Sequence, residues 1–583
     1  MFKKLAGCVR EYKTATVLTL LFIIGEAIIE TLIPFKTADL VNSIKAGAEI
    51  KSVIRTGAVL AVMAVFSLAC GGIAGVTCAK ASAGFAKNLR HDMFHKIQRY
   101  SFGNIDKFSS SSLVTRMTTD VTNVQMSFMM IIRTAVRSPL MLIFSIVMAC
   151  VMGGSLATAF VVIIPVLAFG LWLIGKKAMP AFRRVFKKYD RLNESIEENV
   201  RAMRVVKGFS REDYEKKKFG DAAEDIRGDF THAERIIALN MPLMQLCMNF
   251  NMVVVMLVGS KMAIASRGVS LDVGQISAML TYGMQILMAL MMLSMIYVMI
   301  TMSEESAKRI CEVLDETPSL TMPTAPVTEV ADGSIDFCNV NFRYSEKAKK
   351  NALSDIDIHI KSGMTVGIIG GTGSGKSSLV QLIPRLYDVS EGCVKVGGKD
   401  VREYGIKTLR DSVAMVLQKN LLFSGTISEN LRWGNEGATD EEIREACRLA
   451  QADEFVRSFP DGYETKIEQG GTNVSGGQKQ RLCIARALLK KPKILILDDS
   501  TSAVDTKTDA LIREGFRKFI PETTKLIIAQ RIASVEDADM IIVMDNGSIS
   551  AAGTHDDLMK TSAIYREVFE QQKNGGDSDE TAE

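Results

Sequence analysis

Three stretches of this sequence hold residues whose types and spacing suit phosphate chemistry. Gly370-Gly371-Thr372-Gly373-Ser374-Gly375-Lys376-Ser377 satisfies G-x-x-x-x-G-K-[ST] without a mismatch. In such a loop the glycines let backbone N–H groups close on the α- and β-phosphates of a nucleotide. Lys376 then reaches the β- and γ-phosphates, and the Ser377 hydroxyl is placed to ligate Mg²⁺. Ile494-Leu495-Ile496-Leu497-Asp498 is an apolar run ending in an acid, which puts a carboxylate at the end of a buried strand where it holds Mg²⁺ or its water. Asn473 to Arg481 contains Ser475-Gly476-Gly477-Gln478 at a helix start, a second anion-binding N-terminus. One phosphate cannot sit on two helix starts so far apart in one domain. The economical reading is that two copies of such a domain meet, each offering its second helix start to the nucleotide on the other.

The elements needed to position these groups are legible around them. Thr365–Ile369 has strand composition and Ser378–Ile383 helix composition, so the loop lies at a strand-to-helix turn. From Ser334 onward, short apolar strands alternate with turns and helices, as in an α/β nucleotide domain. Ser303–Glu316 is charged and helical in pattern, and Pro318, Pro323 and Pro326 break that pattern as a linker does. The expected division is 1–316, an α-helical six-span transmembrane domain with long cytoplasmic helix extensions; 317–333, a linker; 334–571, an α/β P-loop domain; and 572–583, an acidic disordered tail.

With 583 residues the chain is too long for one ordinary core, and its net charge of +4 gives no reason to invoke nucleic acid. The ten cysteines are scattered, without a C-x-x-C pair or a neighbouring histidine cluster, and read as reduced thiols. Long apolar runs concentrate before residue 305. The candidates are Ala15–Phe35, Gly57–Cys78, Ser138–Met152, Leu156–Ile174, Met241–Ala265 and Val273–Met302. No small-residue cleavage pattern follows the first, so a signal peptide is not expected. The third is short unless it extends back through Phe128–Ile132, which would leave Arg133 and Arg137 near its cytoplasmic end. Lys80–Arg137 and Lys176–Arg235 are rich in basic residues. They place the N-terminus, both long segments and the soluble half in the cytoplasm of a cell whose cytoplasmic membrane the chain spans several times.

Glu26 and Glu30 stand four residues apart on one face of the first span, away from lipid. They suit cationic or polar cargo, a structural hydrogen bond, or a partner on another subunit. Met248, Met252, Met256, Met284, Met288, Met291, Met292, Met295 and Met299 suit a cavity that accepts several apolar shapes, and equally an ordinary membrane core.

The loop at Gly370–Ser377, the Ser475-Gly476-Gly477-Gln478 signature, Asp498 and the turn Ser502-Ala503-Val504-Asp505 together resemble the nucleotide-binding domain of an ABC transporter. Six spans joined N-terminally to such a domain resemble a half-transporter of the exporter type. The resemblance implies ATP and Mg²⁺ as cofactors. It makes Tyr344 the aromatic that stacks on adenine, and Gln418 the glutamine that touches Mg²⁺ and couples the nucleotide to the membrane domain. The main-chain and hydroxyl groups of the loop through Ser378 become phosphate ligands. Ser475 and Gly477 would contact the γ-phosphate on the opposing subunit, flanked by Gly476 and Gln478, and Asp505 would lie at the dimer seam. Ser109–Arg116 and Arg204–Arg211 resemble coupling helices, although ordinary helix bends explain them equally.

Two positions depart from the family pattern. Asp499 stands where the catalytic carboxylate is usually Glu, and Gln530 where a His contacts the γ-phosphate. The shorter acid withdraws its carboxylate by a methylene, and Gln cannot become a cation. The pattern resembles the degenerate-site subunit of bacterial heterodimeric multidrug exporters. It implies a second half-transporter with intact Glu and His, membrane lipid around both, and amphiphilic cargo. A homodimeric lipid or peptide exporter, and a nucleotide-sensing regulatory or channel subunit, are the other readings.

Overall fold

The computed structural model describes residues 2–266, 271–346, 348–500 and 503–576. Ser502, most of the link expected at Arg267–Asp272 and most of the expected tail lie outside the described residues. The chain forms two compact units. The first holds 1–99 and 109–316, and the second holds Tyr100–Phe108 with Thr317 onward.

Among the described residues the first unit has six long helices with apolar stretches, α1 (Lys13–Lys45), α2 (Ile50–Gln98), α3 (Val121–Gly153), α4 (Thr158–Arg201), α5 (Asn240–Ala265) and α6 (Val273–Asp315), and a long polar helix, Glu212–Ile237. Among the described residues, five continuous helical stretches are long and apolar enough to cross a membrane. The longest, Ser110–Val185, turns through Gly154–Ala157 and so contains both α3 and the start of α4. At about 1.5 Å per residue, the 49 residues of α2 reach roughly 70 Å, more than twice the ~30 Å of a hydrocarbon core. The apolar side chains are largely turned outward, as lipid requires: Val62, Leu68, Val161 and Leu257 are each about two-thirds exposed or more.

Polar contacts lock the interior of this unit, where an unsatisfied group is costly. The Thr19 hydroxyl donates to that of Thr77 at 2.8 Å, and Tyr282 Oη donates to the Thr31 carbonyl at 2.8 Å. Asp120, wholly buried, accepts from Ser306 Oγ and Arg309 Nε, both at 2.8 Å. Arg137 is not near a helix end as expected from sequence. It sits at the centre of α3 and donates through Nη2 to both Glu30 oxygens, at 2.8 and 2.6 Å, with Glu26 3.4 Å away. The third span is continuous from Val121, so it begins well before the apolar run alone suggests.

Between α1, α3 and α6 lies a cavity of about 810 Å³. Met284, Met288, Met292 and Met295 line it together with Met129, Met130 and Met141 of α3. The other methionines expected at such a surface, Met248, Met252, Met256, Met291 and Met299, are not on its wall; Met252 and Met256 are exposed on α5.

Among the described residues the second unit has two larger sheets and a two-stranded ribbon of Gly425–Thr426 with Lys466–Ile467. β1 (Ile335–Phe342) lies between β2 (Leu353–Ile360) and β4 (Glu391–Val396) in an antiparallel sheet. β3 (Thr365–Gly370), β5 (Val413–Val416), β6 (Ile494–Asp498), β7 (Thr524–Ile528), β8 (Met540–Asp545) and β9 (Ser548–Gly553) form the other, in the order β9-β8-β3-β7-β6-β5. All its pairings are parallel except β8 with β9. The parallel strands are near-continuous runs of Ile, Leu and Val because both faces are covered. All ten cysteines are free, but the fold brings two together: Cys338 of β1 is directly opposite Cys393 of β4.

The bend after α2 differs from expectation. Ser109–Arg116 stays with the first unit, where Arg116 Nη1 donates to the Arg309 carbonyl at 2.7 Å and to Glu312 at 2.9 Å. The preceding nine residues instead pack within the second unit. Asn104 Nδ2 donates to the Thr317 carbonyl at 3.0 Å, Asp106 accepts from Tyr387 Oη at 2.7 Å, and Phe102 lies against the Tyr387 ring. Ser109 marks the break, with φ at +56°. The other bend, at 204–211, contains the short helix Met203–Gly208 within the first unit.

Candidate functional site

Parallel pairing explains why residues far apart in sequence converge. Gly370 ends β3, Asp498 ends β6, Ile528 ends β7 and Val416 ends β5. Ile528 pairs with both Asp498 and Ile368, and Val416 with Leu497, so the carboxyl ends of four strands form one edge. Ligands bind at that edge in open parallel sheets. The phosphate loop follows β3, the two acids follow β6, Gln418 follows β5 and Gln530 follows β7.

The loop opens helix α7 (Lys376–Leu382) through Gly375 at φ +97°, a left-handed conformation in which a β-carbon would also press on Leu353 Cδ2 and the Ala352 carbonyl. Lys376 Nζ donates to the carbonyls of Gly370 and Gly371, each at 2.8 Å. Burial lowers its pKa, while Asp498 and Asp499 act to raise it. Ser377 Oγ donates to Asp498 Oδ1 at 3.1 Å, so two oxygen ligands suited to Mg²⁺ are already adjacent. Burial lifts the Asp498 carboxyl above the usual carboxylate range, and the Ser377 hydroxyl partly offsets this. A divalent cation at this pair would favour the ionised form, so these residues fit the ion.

Beside the loop is a pocket of about 340 Å³ lined by Gly373–Ser378, Tyr344, Lys350, Asn351, Ala352 and the turn Asn546-Gly547. Tyr344 stands at its rim with Oη 2.8 Å from Ser378 Oγ, and its ring belongs to a cluster with Phe342 and Tyr387. A half-exposed aromatic face beside a phosphate loop suits a nucleobase. Burial and Asp106 push up the pKa of the Tyr387 phenol, which joins this cluster to the segment Tyr100–Phe108. Sequence reading missed Lys350, Asn351 and Asn546-Gly547. The last pair carried a signal, since Asp545-Asn546-Gly547 between two apolar runs is a tight hairpin turn, and both of its central residues have positive φ.

Asp499 has φ +50° and accepts from Gln530 Nε2 at 2.8 Å and from Gln418 Nε2 at 3.4 Å. The structure thus assembles Gln418, Asp499 and Gln530 on one carboxylate. The signature is placed elsewhere. Ser475 caps α8 (Gly476–Leu489) in a reciprocal box, accepting from Gln478 N at 3.3 Å while Gln478 Oε1 accepts from Ser475 N at 2.9 Å. Ser475 and Gly476 are exposed, and no signature residue lines the phosphate-loop pocket. Asp505 caps α9 (Thr506–Phe519), accepting from Thr508 N at 2.9 Å. That backbone hydrogen bond lowers its pKa.

The last helix, Ala563–Gly576, runs five residues past the boundary expected at 571. Gln572 on it donates through Nε2 to the Gln530 carbonyl at 2.7 Å and accepts at Oε1 from Ile532 N at 2.9 Å. One side-chain amide therefore braces the backbone that carries Gln530. Gln572→Ala removes two hydrogen bonds of about 1 kcal/mol each. It is expected to raise amide exchange at Ile532 at least about fivefold and to leave nucleotide affinity within about twofold. Unchanged exchange would show that the brace is idle.

Comparison with known proteins agrees with this geometry. A family model of the ABC transporter transmembrane region matches residues 16–290, and the ABC transporter model matches residues 353–502. The Bacillus subtilis ABC transporter ATP-binding protein YfiB is 36% identical over 98% of both chains. The Mycobacterium tuberculosis ABC transporter ATP-binding protein Rv1273c is 34% identical over 97% of both. A bacterial Atm1-family ABC exporter solved with ATP bound has the same fold, with TM-score 0.83 and 23% identity over 96% of this chain and 99% of that one. With both halves matched and relatives aligned along nearly their whole length, this chain belongs to the ABC transporters, with a helical transmembrane region followed by an ABC nucleotide-binding domain in the exporter fold.

Proposed function

We propose that this chain is one half of a heterodimeric exporter of amphiphilic small molecules, holding ATP and Mg²⁺ at a hydrolysis-poor site of its own and lending its signature to the partner's productive site. The observation that carries the reading is the setting of Asp499. Its carboxylate is one methylene short of Glu and is held by two amides, from Gln530 and Gln418. Amides donate hydrogen bonds but neither take up a proton nor become cations near neutral pH. When bound, ATP with Mg²⁺ supplies a γ-phosphoryl group for hydrolysis, and here Ser377, Asp498 and Lys376 would hold it. The intact Ser475-Gly476-Gly477-Gln478 box, with Ser475 and Gly476 exposed and all four residues outside the phosphate-loop pocket, fits a surface presented to a second nucleotide domain. That domain would carry Glu and His at the positions of Asp499 and Gln530. The basic segments between spans favour a cytoplasmic N-terminus and nucleotide domain. Nucleotide-driven closure of the paired domains would bias the helices between two states, the retained ATP serving as a clamp.

The test is ATPase activity of the purified chain alone against the chain co-purified with a half-transporter that has Glu and His. Near-silence alone, activity in the complex, and loss of that activity when the partner's catalytic Glu is changed are expected. Vigorous cooperative hydrolysis by the lone chain would replace this reading with a homodimeric exporter.

A further inference from the structure

The cavity between α1, α3 and α6 has a charge arrangement opposite to the one its glutamates suggest in sequence. At about 810 Å³ it falls within the ~300–1,000 Å³ typical of small-molecule sites. Its charged wall residues are Glu30, Arg133 and Arg137. Glu30 is committed to Arg137, accepting Nη2 on both oxygens. Glu26 is buried, off the cavity wall beside Gly71, and faces the same nitrogen at 3.4 Å. Both acids therefore converge on one nitrogen of one guanidinium.

The remaining charged groups on the wall are cationic. Arg137 Nε is buried, but Nη1 makes no hydrogen bond among the described residues and the side chain is 37% exposed. Arg133, one helical turn before it, is exposed on the wall and has neither a hydrogen bond nor a salt bridge among the described residues. A guanidinium at membrane depth is costly unless it is paired or wet, and such a group marks a ligand path. A cationic guest would have to take Glu30 from Arg137, leaving a half-buried guanidinium at membrane depth without that carboxylate. An anionic guest adds a partner to a group that lacks one.

We propose that this cavity receives an amphiphile with a single acidic head, the head on Arg133 and the unused face of Arg137, the apolar body on the methionine thioethers of α3 and α6. The assignment rests on the exporter reading, whose cargo class it narrows. Flexible thioethers accommodate bodies of varied shape, so selection falls on the head.

The test compares dansyl-undecanoic acid with its methyl ester, titrated by emission against the full chain in phosphatidylcholine nanodiscs. The acid is expected to bind at least about tenfold tighter than the ester, a difference of ~1.4 kcal/mol. Arg133→Gln should abolish most of that difference and Arg133→Lys should retain it, with TNP-ATP binding unchanged in both. Equal affinities in the wild-type chain, no binding of either probe, or an acid preference that survives Arg133→Gln would each overturn the proposal. The wild-type comparison decides even if a variant fails to fold. If acid selection holds, phosphatidylglycerol in the disc identifies the source. Competition points to membrane lipid and its absence to free amphiphiles, and both outcomes support recognition of an acidic head. ATP-driven transport by the heterodimer is scored separately. Transport without acid selection refutes the charge assignment alone, and acid selection in a complex that transports nothing refutes the exporter reading alone.

Discussion

Asp499→Glu combined with Gln530→His is expected to raise hydrolysis at this chain's own site about 10²-fold. The magnitude follows from position: a reacting group misplaced by about 1 Å costs about 10²-fold in rate, and the shorter acid withdraws its carboxylate by a methylene. The second change supplies a group able to carry positive charge beside a γ-phosphate, where the present amide is neutral. It also releases the carboxylate from the 2.8 Å bond to Gln530 Nε2. One effect opposes the gain. Position 499 has φ +50°, which Asp tolerates better than Glu, so the substitution costs of the order of 1 kcal/mol in backbone strain. A tenfold rate change corresponds to about 1.4 kcal/mol of barrier, so the strain would reduce the gain without cancelling it. Single-turnover hydrolysis measures this cleanly in a complex whose partner carries Gln for its catalytic Glu, because only this chain's site then reports. An unchanged rate would mean that Asp499 and Gln530 do not limit the chemistry.

Gly477→Ala should have a comparable effect in the opposite direction, at the other site. A β-carbon there would stand 2.7 Å from the Ala503 carbonyl oxygen, too close for any real contact. That carbonyl cannot retreat freely, since Ala503 N is held by Gln480 Oε1 at 3.0 Å. The start of α8 must therefore shift, and with it the Ser475 cap. ATPase of the heterodimer is expected to fall more than about 10²-fold. Nucleotide affinity of the lone chain should change less than about twofold, because Gly477 is not on its pocket wall. Parallel loss of both would mean that the substitution unfolds the domain, and loss of neither would remove the signature from the proposed productive site.

Legibility of the site in the sequence followed the range of the interactions involved. The phosphate loop, Asp498 and the signature could be read because each is a contiguous run whose backbone does the work. The meeting of the loop and Asp498 on one sheet edge follows from parallel strands sharing a carboxyl end, whereas the signature lies apart from that edge. Basic residues usually flank spans, so sequence alone puts Arg137 near a helix end, whereas Glu30 and Glu26 on another helix explain its place at the span's centre. The resemblance points to Ser109–Arg116 as the bend, whereas tertiary contacts to Thr317 and Tyr387 select the nine residues before it. Gln572 was illegible, because a glutamine near an acidic terminus gives no local sign of the loop it braces. The Cys338–Cys393 pair was equally hidden, because register between strands 55 residues apart is not written in either strand.

The membership of Tyr100–Phe108 in the second unit has a consequence for synthesis. Those nine residues leave the ribosome roughly 200 residues ahead of the domain they pack into. At about 5–20 residues per second, that is a wait of about 10–40 s. During that interval Phe102 and Phe108 have no aromatic cluster or linker to cover them, while the helices on either side are already inserting. Assembly of this segment is necessarily post-insertional, and a chain stalled or truncated before Thr317 would leave a short hydrophobic helix exposed for chaperones and proteases to recognise.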